Sequence, residues 1–260
     1  MKDNRHPIHL LETVDSTNLE LRRMVSDGAP HGTVVAAREQ TAGRGRFDRK
    51  WLSRPGLGAW FSLLIRPEER IPAEKAPGLV FLAALAMANT LNTETNGGIT
   101  IKWPNDLIAG GKKVAGILCE MNASESMLSW AILGIGVNLL GTDFPPDLPW
   151  AASVESQFSL QLKPNDVIIH FLKAFDELYP IWLLSGIQPI LDAIVPISAT
   201  LGREVSASFS SGESLTGTAK RFTEDGSLVV ERKGQEHILR AGDVSVRGVM
   251  GYTDIDRRTP

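Results

Sequence analysis

The sequence predicts an α+β fold: a mixed, largely antiparallel β-sheet with helices packed on it, followed by a small β-barrel. Three observations carry this. Up to about Gly186, short β-branched or alternating runs are interleaved with runs of helical period. Gly110-Gly111 stands between two strand-like runs as a hairpin turn. After "IVPISATLG" the character changes to short strand-like pieces separated by Gly, Ser and Asp turns.

Taken in order, "TVDSTNLELRRMVSDG" opens with polar cap candidates, carries Leu21, Met24 and Val25 at helical spacing and closes on Gly28, which predicts a short helix. "GTVVAARE" and "GAWFSLLIRP" read as strands, and "PGLVFLAALAMANTLN" has helix length and helix formers. "ITIKW" and "KVAGILCEM" read as strands joined through "PNDLIAGG", and "SWAILGIGVNLL" as another. "KPNDVIIHFLKAFDELYPIWLLSG" predicts a long helix capped by Asn165 or Asp166 and bent before Pro180. "REVSASF", "SLTGTAKRF", "SLVVERKGQEHIL" and "DVSVRGV" supply the barrel, so two domains are expected, residues 1–198 and 199–260.

The 260 residues, 43% hydrophobic with mean hydropathy -0.04, can bury a sizeable core. A net charge of -3 argues against a surface dedicated to DNA or RNA. The single cysteine, Cys119, cannot form an internal disulfide, which points to a reducing compartment and the cytoplasm. The N-terminus lacks the apolar core of a signal peptide, and "GLVFLAALAMA" is too short to span a bilayer, so no membrane association is expected.

Against this background "EQTAGRGRFDRKW" stands out. Arg44, Arg46, Arg49, Lys50 and Arg54 crowd one short window, and like charges so close repel unless something negative sits among them. A solvated surface loop would explain the charge, but not Gly43 and Gly45, which permit close backbone approach, or the flat face of Trp51. Phosphate is the better fit, because guanidinium forks match its oxygens and stay charged at any working pH. The spacing is not that of a P-loop.

Three other stretches carry chemistry beside ordinary readings. In "DSTN", Thr17 and Glu20 fit a capping box that needs no ligand, yet a helix N-terminus also suits a carboxylate-bearing or polar ligand. "IKWPNDL" followed by Gly110-Gly111 would return Lys113 to the end of the sheet that holds Asp106; a surface hairpin with charged edge residues reads equally well. "LGIGVNLL" is weakened as a strand by Gly134 and Gly136 unless something approaches its backbone, and Asn138 could then read a heterocycle edge; a bulge is the plain alternative.

In order and spacing, "DSTN", "EQTAGRGRFDRKWLSRPG", "KWPNDL" with "KKVAGILCE", and "GIGVNL" resemble the catalytic domain of biotin-protein ligases, and the tail resembles that family's SH3-like C-terminal domain. The resemblance covers nearly the whole chain. It implies a ligase that joins biotin to ATP as biotinyl-5'-AMP and passes it to one lysine of a biotin carboxyl carrier protein, with Mg²⁺ as cofactor. It further implies a biotin and acyl-phosphate site of Ser16, Thr17, Asn18, Gln40, Arg44, Gly45, Arg46, Lys113 and Gly116. The ATP side would hold Arg44, Arg46, Arg49, Trp51, Asn105, Lys113 and Asn138, and the catalytic roles would fall to Lys113, Arg46 and Asp106. No metal-ligating set is assigned.

One departure is Asp48, where the family usually has glycine, which puts a negative charge beside the phosphates and leaves the loop's path open. A second is that the motifs begin by Asp15, leaving no room for a winged-helix domain, so no repressor activity and no nucleic-acid partner are expected. A homodimer is left open. Lipoate ligase or octanoyltransferase is the nearest enzymatic alternative, and a non-catalytic biotin-binding protein is the other.

Overall fold

The computed structural model describes residues 5–208, 214–240 and 243–246. Seven strands, β1 (Ile8–Val14), β2 (Val34–Gln40), β3 (Gly58–Ile65), β4 (Thr100–Lys102), β5 (Asp106–Ala109), β6 (Lys112–Ser124) and β7 (Met127–Asn138), form one sheet in the order β1-β2-β3-β7-β6-β5-β4. Strands β1 and β2 run parallel and the other neighbours antiparallel, the mixed sheet that the sequence predicts. Two strands were not anticipated. In β1 the apolar residues do not alternate with burial, since Leu10 is half exposed at the sheet edge. The other, β5, is four residues long and lies within the turn-like "PNDLIAGG".

Helices cover the sheet unequally. On one face lie α2 (Gly78–Thr95) and α4 (Pro164–Ser185), which pack on each other, with the short α5 (Gln188–Ile194) against both. The helical stretch Ala73–Thr95, which contains α2, is long and apolar enough to cross a membrane, but twelve of the eighteen residues of α2 are buried, and the apolar ones among them belong to the core with Phe61, Leu63, Leu133 and Phe171. On the other face α1 (Thr17–Ser26) packs Leu21 against Val35, Leu64 and Ile132. Being only ten residues long, α1 leaves part of this face uncovered.

Helix α4 begins on Lys163 as N-cap with Pro164 in the first turn, so neither Asn165 nor Asp166 caps it; proline's missing N–H makes that position natural for it. The helix continues through Pro180 to Ser185. A short helix α3 (Val154–Phe158), capped by Ser153, was not anticipated.

The second sheet has five strands, β8 (Glu204–Ser208), β9 (Ser214–Phe222), β10 (Leu228–Arg232), β11 (Gln235–Leu239) and β12 (Asp243–Val246), ordered β11-β10-β9-β8-β12 and antiparallel throughout. Lys233 and Gly234, both left-handed, divide "SLVVERKGQEHIL" into two strands. The chain entering this sheet is tied to the first one: Ala199 N–H donates to the Ile101 carbonyl (2.8 Å) and Trp103 Nε1 to the Gly226 carbonyl (2.9 Å).

Candidate active site

The uncovered part of the α1 face holds a cavity of about 590 Å³. Its floor follows from the two-residue period of the strands. Gly116 of β6 pairs with Gly136 of β7, and Gly134 lies two residues back on the same face. These glycines open the floor to side chains arriving from above. A methyl on Gly134 would overlap the Asn18 amide, and one on Gly136 would come within 2.5 Å of the Trp51 indole. Gly116 is covered by Trp51 and by the Lys113 stem. The two glycines of "GIG" thus mark close approach, and the register through them is unbroken, with no bulge.

One end of the cavity is lined by neutral polar groups fixed in place. Ser16 is the N-cap of α1 but makes no side-chain cap bond, so the capping box expected of Thr17 and Glu20 does not form. The Thr17 N–H is met from β2 instead, donating to Gln40 Oε1 (2.8 Å), while Gln40 Nε2 donates to Ser53 (2.8 Å). Glu20 is drawn into a pair with Arg23 (2.6 Å). Asn18 donates through Nδ2 to Glu120 (2.9 Å), and its Oδ1 accepts from the Ser62 hydroxyl (2.6 Å), which also lies 2.7 Å from Thr17 Oγ1. Ser16, Thr17, Asn18 and Ser62 are buried. Their amide and hydroxyl orientations are therefore set before any ligand arrives.

Above the floor stands the arginine loop. It leaves β2 and returns through isolated bridges, Gln40 with Ser53 and Arg44 with Lys50, and Trp51 N–H closes it on the Gly43 carbonyl (2.9 Å). Its tip is a 3-10 turn, Arg46–Asp48, whose left-handed residue is Phe47 (φ 55), with the Arg46 guanidinium 4.9 Å from the Phe47 ring. Arg46 donates to Asn105 Oδ1 (3.0 Å), which locks the loop onto the β4–β5 turn. Burial depresses the Arg46 guanidinium first of all, offset by Asp106, yet arginine starts so high that it stays charged. Arg44 lies 3.7 Å from Glu120.

The third wall is the β4–β5–β6 hairpin. Gly110 and Gly111 both take positive φ, the two-residue turn matched to a hairpin. It brings Lys113 Nζ to 2.6 Å from Asp106 Oδ1, while Lys102 Nζ lies 3.9 Å from Asp106 Oδ2. Asp106 is buried, which alone would push its carboxyl up. Lys113, then Lys102, and the hydrogen bond from Lys113 outweigh that, and the carboxyl is held below its ordinary value. For Lys102 burial wins, lowering its ammonium to about 8. Lys113 also sits 5.2 Å from the Trp51 ring, a cation–π contact. Asn105 Nδ2 donates to the Ile117 carbonyl (2.8 Å) and Asn138 Nδ2 to the Ala152 carbonyl (3.0 Å), so both amides are anchored by their nitrogens.

Every residue that the resemblance assigns to the site lines this one cavity: Ser16, Thr17, Asn18 and Gln40; Arg44, Gly45, Arg46, Arg49 and Trp51; Asn105, Asp106, Lys113, Gly116 and Asn138. Of the other cations in the arginine window Lys50 lines it too, whereas Arg54 does not and donates to the Asp143 carbonyl (2.7 Å). Three polar residues were not singled out. Ser62 is the lone polar residue inside the apolar run "GAWFSLLI", which was a usable signal. Glu120 ends "KKVAGILCE" on the same face as Gly116, and Lys102 opens "KWPND". For these two the sequence gives identity without partners.

Comparison with known proteins finds consistent likenesses. Residues 10–138, from β1 to the end of β7, match the model of the biotin/lipoate A/B protein ligase family. The chain is 36% identical over 243 residues to the bifunctional ligase/repressor BirA of Bacillus spizizenii, covering 92% of this chain and 74% of that protein. It is 31% identical over 245 residues to the biotin--[acetyl-CoA-carboxylase] ligase of Paracoccus denitrificans, covering 92% of this chain and 100% of that one. In structure it is similar to the biotin protein ligase from Aquifex aeolicus in complex with biotin and ATP, with a TM-score of 0.79, 28% identity, and 93% and 98% of the two chains covered.

Proposed function

Since the chain belongs to the biotin/lipoate A/B protein ligase family, we propose that it activates biotin with ATP as biotinyl-5'-AMP and transfers the biotinyl group to a lysine of a biotin carboxyl carrier domain. The observation that carries this reading is the division of one cavity into two chemistries. Fixed neutral donors and acceptors at Thr17, Asn18 and Gln40 suit an uncharged heterocycle, and Arg44, Arg46 and Lys113 beside them suit a carboxylate and phosphates. On this reading residues 1–198 are the catalytic domain and 199–260 the SH3-like C-terminal domain, and among the described residues Val244 of the second sheet also lines the cavity.

In the first step a biotin carboxylate oxygen attacks the α-phosphorus of ATP, and the bond to pyrophosphate breaks with its electron pair. Two anions must meet, so cations have to neutralise them first. Arg46 and Lys113 hold the carboxylate and α-phosphate, Arg49 the departing pyrophosphate, and Trp51, Asn105 and Asn138 the nucleoside. In the second step the incoming lysine ammonium gives a proton to the Asp106 carboxylate. The free amine attacks the acyl carbon, the acyl–oxygen bond breaks, AMP leaves with the electron pair, and the second amine proton passes to solvent. Positioning and electrostatics supply the rate, without a covalent enzyme intermediate.

Mg²⁺ does not fit a resident site here. Among the described residues no group of three or more His, Cys, Asp or Glu side chains could hold a metal ion, and Asp106 is already engaged by Lys113. Mg²⁺ is therefore assigned to the ATP that enters, with no ligand set among the described residues. The net charge of -3 supports a protein without a DNA target.

The test is isotope exchange between pyrophosphate and ATP with biotin, lipoic acid or octanoic acid supplied in turn. Exchange with biotin alone is expected; exchange with lipoic or octanoic acid, or with none of the three, would overturn the reading.

A further inference from the structure

We propose that Lys102 is a positioning residue for the transfer step: it is the fixed counter-ion that holds the Asp106 carboxylate ionised and in place once Lys113 follows the charge of the acyl phosphate. The proposal rests on the reading above, in which Lys113 and Asp106 are used at different moments.

The geometry places one carboxylate between two ammoniums. Lys102 and Asp106 are cross-strand partners in the β4–β5 pair, and Asp106 turns Oδ2 toward Lys102 and Oδ1 toward Lys113. The two lysines differ in freedom. The Lys102 side chain is 7% exposed and the Lys113 side chain 21%, the latter against the Trp51 face. Lys113 can move toward a ligand, whereas Lys102 is held in the wall.

Charge then requires a second cation. While Lys113 sits on Asp106, that carboxylate oxygen is blocked as a proton acceptor. When Lys113 moves to the acyl phosphate the oxygen is released, but a buried carboxylate without a counter-charge takes up a proton from solvent and is useless as a base. Lys102 prevents this without blocking the freed oxygen, because it faces the other one. Among the described residues the other charges that act most on Lys102 are Arg46 and Arg49 from the arginine loop, both cationic and both assigned to phosphate in the proposed reaction. Burying an ammonium is costly where an apolar side chain would do, and burial indeed depresses Lys102 to about 8.

The experiment uses the full chain, synthetic biotinyl-5'-AMP and two acceptors, a biotin carboxyl carrier domain and hydroxylamine. Hydroxylamine is uncharged at neutral pH and needs no base. Transfer rates are measured against pH for the parent, Lys102→Met and Lys102→Arg. With the carrier domain, Lys102→Met is expected to move the acidic limb of the profile up by about one pH unit or more, and Lys102→Arg to leave that limb where the parent has it. With hydroxylamine, Lys102→Met should not move the limb. An unmoved limb with the carrier in Lys102→Met, an equal shift with both acceptors, or a shifted limb in Lys102→Arg would each overturn the proposal. Where Lys102→Met does not fold by circular dichroism, the Lys102→Arg profile decides alone. Failure of the parent to form or use biotinyl-5'-AMP would instead sink the proposed function itself.

Discussion

The ammonium of Lys113 lies 2.6 Å from Asp106 Oδ1, across a hairpin whose turn is Gly110-Gly111. In the proposed reaction this contact joins the group assigned to phosphate charge and the group assigned to the acceptor's proton. In the free protein Lys113, ahead of Lys102, holds the Asp106 carboxyl below its ordinary value. Lys113→Ala should therefore remove catalysis of adenylate formation while leaving the fold intact, because the side chain is partly exposed at the cavity, over Gly116 and Trp51, and lies outside the apolar core. A loss on the order of 10²-fold in biotin-dependent ATP–pyrophosphate exchange is expected. Near-parental exchange would remove Lys113 from the chemistry.

Arg46 ties the loop tip to Asn105. If that tie closes the loop over the intermediate, Arg46→Gly should release biotinyl-5'-AMP faster than the parent, by roughly tenfold to a hundredfold, the worth of one charge-assisted hydrogen bond. The freed mixed anhydride then acylates exposed lysines at random. A streptavidin blot of mixed bystander proteins, beside a direct measurement of intermediate release, checks this; equal release at comparable synthesis would show that the loop is no lid.

The floor glycines make a sharper steric prediction. Neither Gly134 nor Gly136 needs a positive φ, so alanine is compatible with β7 as a strand, yet its methyl would displace Asn18 or Trp51. Gly134→Ala should raise KM for biotin and Gly136→Ala KM for ATP, each with a cost on the order of 10²-fold in kcat/KM. Equal effects on both substrates from either variant would contradict the division of the cavity.

What was legible in the sequence divides along physical lines. Period and turn chemistry disclosed β2, β3, β6, β7, α1, α2 and α4, because each buries one regular face or carries its own stop signal. They could not disclose β1, an edge strand with little to bury, or β5, which is shorter than any period. The capping box at Thr17 and Glu20 was a local pattern overruled by a distant partner, Gln40, which no local rule sees. The cavity's catalytic names came from motifs that quote residues in order. Ser62, Glu120 and Lys102 matter through contacts across strands, and only the folded register provides those. Asp48 and its neighbours raised the question of the loop's path; the left-handed turn is taken at Phe47.

Stability should depend on pH in a way that reports the buried ammonium. Lys102 releases its proton near 8 in the folded chain, below the ordinary 10.5 of an unfolded lysine. Between these values the unfolded chain binds more protons, so folding stability from this group rises with pH. From pH 7.5 to pH 9.5 the parent should gain stability relative to Lys102→Met, by on the order of 1–3 kcal/mol. Denaturant titrations of both proteins at the two pH values measure it; a relative loss would reverse the sign and contradict the burial of that charge.

The central claim is the complete reaction, and mass spectrometry of an isolated biotin carboxyl carrier domain incubated with this protein, biotin and Mg-ATP tests it most directly. The expected result is a single biotinyl adduct on one lysine, absent when ATP is omitted and absent when that lysine is replaced. A carrier domain left unmodified, or one modified with lipoate but never with biotin, would contradict it.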